Sequence, residues 1–202
     1  MDNLTKILDK SEELFFRVGI KSITMDDIAR ELGMSKKTVY LFVDNKKDLV
    51  EKVMKRYIEK EASFFQTIDT QKLNAIDIIV EIIKHVHKSL GNLPLSAIYD
   101  LQKYYPKSWS MFNGFKKEFI FKTMESIIRK GKEEGLFRPN IKETLIANFY
   151  VLAIEGTLNP SNFPENKYNF KDTYFEYIIY HLQGLASEEG LQYLKKINLN
   201  NE

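Results

Sequence analysis

Apolar residues recur at three- and four-residue spacing along almost the whole chain, and no segment sustains the apolar–polar alternation of a half-buried strand. The pattern predicts an all-α fold. A first helix from about Leu4 to Val18 places Leu4, Ile7, Leu8, Leu14 and Phe15 on one stripe and stops at Gly19. Thr24, with Asp27 three residues on, reads as a capping box opening a second helix that turns Ile28 and Leu32 inward. Gly33 is where that helix can reverse, because glycine enters the left-handed turn without steric cost. Ser35 then caps a short third helix to about Phe42. Asn45 with Asp48 repeats the capping pattern and opens a fourth helix through Leu49, Val53, Met54 and Tyr57 to near Gln66.

Beyond residue 70 the predicted helices lengthen: Leu73 to Leu90, Leu95 to Tyr104, and a segment from Pro106 to Gly131 or Gly135 with a break expected at Asn113-Gly114. Residues 135–139 are expected to form a loop. Asn140 with Glu143 reads as a capping box for a helix from about Ile141 to Leu158, and the turn-rich, exposed stretch 161–169 leads to a last helix from about Asp172 to Ala186.

With 44% hydrophobic and 29% charged residues the chain can bury a sizeable core, so one or two globular domains are expected. It has no cysteine, which excludes disulfides and thiolate metal sites. The N-terminus lacks the pattern of a signal peptide and no 18-residue apolar stretch occurs, so a cytoplasmic location away from the membrane is the expectation. Residues 1–60 carry 13 Lys and Arg against 11 Asp and Glu, which is the whole formal excess of +2. Within them Lys36, Lys37, Lys46 and Lys47 face only Asp44 between Gly33 and Lys47, a local basic patch.

The corner at Gly33 between two short helices is the geometry of a helix-turn-helix. Leu14, Phe15, Gly19, Thr24, Ile28, Ala29, Gly33, Ser35, Thr38, Tyr40, Phe42, Lys46 and Leu49 follow in an order that resembles the DNA-binding domain of the tetracycline-repressor (TetR) family of transcription regulators. Ser11, Lys37 and Leu41 depart from the usual Ala, Gly or Arg, and His or another polar residue. Past residue 60 the resemblance is one of layout only. It implies a three-helix DNA-binding domain over residues 1–48, joined through a long helix to an effector-binding and dimerisation domain over 49–202.

Lysines in the first turn of a helix oppose its macrodipole, yet Lys36-Lys37 and Lys46-Lys47 directly follow caps; an arriving phosphate reverses the sign of that penalty. Both pairs therefore read as backbone clamps rather than solvated surface lysines. Lys36, Lys37, Thr38, Tyr40 and Leu41 are expected to face the major groove, with Thr24, Ser35 and Lys46 completing the candidate DNA contacts. The resemblance assigns a phosphate to the Tyr40 hydroxyl. So short a reading helix needs a second copy at fixed spacing, so a homodimer is expected, with Leu145, Phe149, Leu152, Gly156, Tyr174, Ile178 and Leu182 as its candidate interface.

The resemblance further implies that a small effector alters the separation of two DNA-reading heads. Tyr99, Tyr105, Trp109, Phe112, Phe115 and Phe119 crowd into one stretch that reads as core or as a pocket for an aromatic or apolar ligand, and His87 falls on the buried face of its helix while His85 falls opposite. No catalytic or metal motif is found: there is no HExxH, Gly-rich phosphate loop or Glu-x-x-His pair, and His85, His87 and His181 offer no metal spacing. The chain is therefore read as a DNA-binding regulator that is no enzyme and needs no cofactor, most simply a repressor released by ligand and reading a palindromic operator. The competing class is an all-helical small-molecule-binding or protein-interaction module that does not regulate transcription.

Overall fold

The computed structural model describes residues 2–90, 95–159, 161–164 and 166–197. Among these residues it is all-helical. Four helices occupy the N-terminal third: α1 (Asn3–Val18), α2 (Met25–Glu31), α3 (Lys36–Tyr40) and α4 (Lys46–Thr67). They are followed by α5 (Ala75–Leu90), α6 (Leu95–Tyr104), α7 (Pro106–Gly114), α8 (Phe121–Glu133), α9 (Glu143–Thr157), α10 (Phe170–Leu185) and α11 (Glu188–Ile197). No described helix is long and apolar enough to cross a membrane.

The N-terminal caps form as their residues dictate. Thr24 and Asp27 close a reciprocal capping box on α2, and the Ser35 hydroxyl accepts from the Thr38 amide to start α3. At the end of α2, Met34 donates to the Ala29 carbonyl (2.9 Å) and Gly33 to that of Arg30 (3.1 Å), the paired bonds of a left-handed C-terminal cap. Gly33 has φ +62° with open space around its Cα, so backbone conformation alone demands glycine there. The Asn45 cap is also present, but the Asp48 carboxylate reaches past Asn45 to the Asp44 amide (3.0 Å), so that box is displaced by one residue.

Three C-terminal expectations are corrected. The chain does not break at Asn113-Gly114: Gly114 is right-handed helical, and α7 runs into α8 through a π-helical turn over Phe115–Ile120. Eight α-helical residues would leave Met124 about 80° around the axis from Lys116. The extra residue of a π-turn reduces that to about 20°, so both buried side chains share one face. Helix α9 begins at Glu143 without a side-chain cap, because Glu143 pairs with Lys132 (2.6 Å) instead of forming a box with Asn140. Finally, α11 was not anticipated; Ser187 starts it by accepting from the Gly190 amide (3.1 Å).

One buried cluster runs without interruption from Ile7, Phe15, Ile28 and Val39 through Leu49 and Val53 to Leu101, Phe112 and Tyr174, so no gap in packing falls at residue 48. The second joins Ile76 and Ile79 of α5 to Ile128, Phe137, Ile178 and Leu182. Gly131 is required by that second core, since a Cβ there would stand 2.2 Å from the Phe137 ring. Outside the cores, Arg56 and Lys60 of α4 clasp α1 through Asp9 (2.7 Å and 3.4 Å), and Lys60 also reaches Glu12 (2.9 Å).

Candidate nucleic-acid interface and effector cavity

Helix α3 is a short rod held from behind. Val39 is wholly buried and Phe42 half-buried, while Lys36, Lys37, Tyr40 and Leu41 are exposed on the outer side. Thr38 is half-buried, and its hydroxyl lies 2.8 Å from that of Ser35. That bond holds the threonine oxygen against the cap.

The cations differ in how they are held. Lys36 reaches Asp26 (3.0 Å), an exposed pair that raises the lysine pKa. Lys46 is half-buried and donates to the Lys21 carbonyl (3.2 Å); burial pulls its pKa down, against the pull of Asp100 and Asp27. Lys37 and Lys47 are exposed. The Thr24 hydroxyl accepts from the Asp27 amide and donates to the Asp27 carboxylate (2.7 Å), so the α2 cap takes its one proton. Lys52, a residue not singled out in the sequence, ties α4 to the end of α3 by donating to the Phe42 carbonyl (3.1 Å).

The aromatic candidates do not gather in one pocket. A cavity of about 300 Å³ between α6, α7, the π-turn and α9 is lined by Tyr99 and Trp109 together with Gln102, Asn113, Lys116 and Glu155. Phe112 lines a separate apolar void of about 30 Å³ against Phe16, Ile20 and Met54. Tyr105 packs on the N-terminal core, and Phe115 and Phe119 stack on each other, with Phe119 edge-on to Phe65. His87 is half-buried beside Phe175 and borders neither cavity. The expected placing of His85 is corrected: it stacks on Phe64 and lies 3.1 Å from both oxygens of the buried Glu61, because α4 covers that side of α5.

The residues that make the larger cavity polar, Lys116, Asn113 and Glu155, were not among the candidates. Lys116 is 2% exposed, lies above the rings of Trp109 and Phe112 (5.0 Å and 5.1 Å), and donates to Glu155 (3.1 Å). Burial pulls its pKa down, partly opposed by Glu155. The spacing of Lys116 four residues after Phe112 was the available signal, since it puts both on one face.

The candidate interface residues divide in two. Leu145, Phe149 and Leu152 form an outward stripe on α9, 48%, 53% and 60% exposed, with Gly156 half-buried at its end. Tyr174, Ile178 and Leu182 are corrected to core, at 3% exposure or less; the outer face of α10 instead presents Tyr180, 78% exposed. Between the two helices His181 is half-buried with its Nε2 enclosed and, among the described residues, without a hydrogen-bond partner, and loss of solvent pulls its pKa down to about 4. Among the described residues no group of three or more His, Cys, Asp or Glu is placed to hold a metal ion.

Comparison with known proteins gives this geometry a lineage. Residues 7–53 match the family described as bacterial regulatory proteins, tetR family. The HTH-type transcriptional regulator YvaF of Bacillus subtilis is 26% identical over 156 residues, spanning 77% of this chain and 80% of its own. The fold is shared with a TetR-family regulator from Marinobacter aquaeolei (TM-score 0.74, 18% identity, 96% of this chain and 97% of that one). It is also shared with a transcriptional regulator from Saccharomonospora viridis solved in complex with choline (TM-score 0.68, 18% identity, 92% and 98%). Residues 7–53 thus carry the DNA-binding domain of the tetR family of bacterial regulatory proteins, and the chain as a whole shares its fold with regulators of that family.

Proposed function

We propose that the protein is a homodimeric repressor that places α3 of each copy in successive major grooves of a palindromic operator and is released by a small ligand. The observation that carries this reading is the outer face of α3, where Lys37, Tyr40 and Leu41 stand clear of the core on a helix fixed at both ends by Ser35 and Lys52. Lys37 is the candidate base contact, the Thr38 methyl suits a thymine, and Lys36, Lys47 and the Tyr40 hydroxyl suit phosphates. Lys36 would exchange its exposed partner Asp26 for phosphate, which costs little because exposed pairs are weak. Ser35 and Thr24 act as caps that present these groups. Lys46 braces the turn before α2 through Lys21.

Pairing falls to the outward stripe Leu145, Phe149 and Leu152 of α9, with Tyr180 on the adjoining α10, since exposed large apolar side chains mark an interaction surface. Ligand release is supported by α6, which turns Tyr99 and Gln102 to the larger cavity while Asp100 accepts from the Lys21 amide (2.7 Å) of the reading head. Mobility shift on the DNA upstream of the gene tests the reading. Lys47→Ala is expected to lower the slope of log K against log salt by about 1 per copy, and Lys37→Ala to weaken the specific site more than random DNA. Equal binding of both variants and wild type at every salt concentration would refute the assignment.

A further inference from the structure

The cavity of about 300 Å³ holds an ammonium where burial is costly. Lys116 is 2% exposed and, among the described residues, has one hydrogen-bond acceptor, Glu155, for its three N–H groups. A buried cation with unused donors is stable only if something else accepts from it. Opposite in kind is Asn113 in the same wall, whose side-chain oxygen is buried and finds no donor among the described residues. Lys117 adds a second positive charge to the lining against the single carboxylate of Glu155, so the site carries a net positive charge. Trp109 and Tyr99 supply aromatic walls, and Ile98 and Leu158 an apolar one. Lys116 already lies over one face of Trp109, so a cationic ligand placed there would meet a like charge.

We infer that this cavity binds a small carboxylate with an aromatic or apolar body and a neighbouring hydroxyl or amide N–H, the carboxylate accepting from Lys116 Nζ and the donor meeting Asn113 Oδ1. The inference rests on the reading of the chain as a ligand-controlled regulator only for what binding does to DNA; the chemistry of the site stands on its own residues.

Trp109 is the chain's one tryptophan, so its fluorescence reports the site directly in the DNA-free protein. The probe is 3-phenyllactate, with neutral 3-phenylpropane-1,2-diol and cationic choline as controls. A saturable change is expected with the acid, and binding about 10-fold or more weaker for both controls. Lys116→Met should weaken the acid about 10-fold or more, whereas Glu155→Gln, which frees Lys116 and removes a like charge, should tighten it by about 3-fold or more. A role confined to packing would not give opposite signs, and Glu155→Gln alone decides the matter if Lys116→Met does not fold. Diol binding as tightly as the acid, weaker or unchanged binding by Glu155→Gln, or no saturable response up to about 10 mM acid overturns the inference. Acid that binds but does not release DNA leaves the site standing and refutes release by this ligand class; DNA release by another ligand together with no saturable acid binding does the reverse.

Discussion

The reading head and the wall of the proposed effector cavity are built by different logic. In the head, Thr24, Ser35 and Asn45 each bond to an amide three residues ahead, and Gly33 turns the chain locally. In the wall, Asn113 and Lys116 stand three residues apart where α7 enters the π-turn, and Glu155 faces them from α9, 39 residues beyond Lys116. Short elements separated by tight turns need local instructions, whereas a cavity needs the opposite: polar groups left incompletely satisfied by the chain itself.

That contrast predicts where damage spreads. Phe137→Ala empties the space over Gly131 in the second core and is expected to cost about 3–5 kcal/mol by thermal or denaturant unfolding. The loss should leave the α1–α3 cluster, which Phe137 does not join, less affected in hydrogen exchange. Uniform loss of protection would mean that head and body unfold as one unit. Acid sharpens the same division. Burial keeps His181 neutral down to about pH 4, while in the unfolded chain it protonates near 6.5. Its contribution is therefore unaffected above pH 6.5 and is lost progressively as pH falls toward 4, by up to about 3 kcal/mol. His181→Phe should flatten stability over that interval, and an unchanged slope would contradict the burial.

Smaller effects are expected in the head. Gly33→Ala forces a Cβ into left-handed backbone and should cost about 1 kcal/mol, with a larger loss of DNA binding than of melting temperature. Ser11 is wholly buried on α1 with its hydroxyl unpartnered, so Ser11→Ala should gain up to about 1 kcal/mol without changing DNA affinity.

Much of the head was legible because its instructions lie within three residues of where they act. The helical class and the bounds of α1 and α6 were readable from periodicity in the same way. The rest depended on partners distant in sequence. Asn140 and Glu143 have the spacing of a cap, but Lys132 from α8 takes the carboxylate. Tyr174, Ile178 and Leu182 have the apolarity of an interface, but α5 and α9 cover them, and the exposed position on α10 is Tyr180, a residue apolar enough to be overlooked among so many. Helix α11 escaped notice because its start is a lone Ser187 followed by two glutamates and a glycine.

Head and body meet in one requirement: a reading helix of five residues needs a second copy, and the exposed α9 stripe is the face proposed to bring it. Sedimentation of Phe149→Glu, with and without operator DNA, measures this most directly. Wild type should sediment as a dimer that binds as two chains per site, and the variant as a folded monomer with operator affinity reduced about 100-fold or more. A monomeric variant that binds the operator as tightly as wild type would contradict the pairing of the two heads through this face.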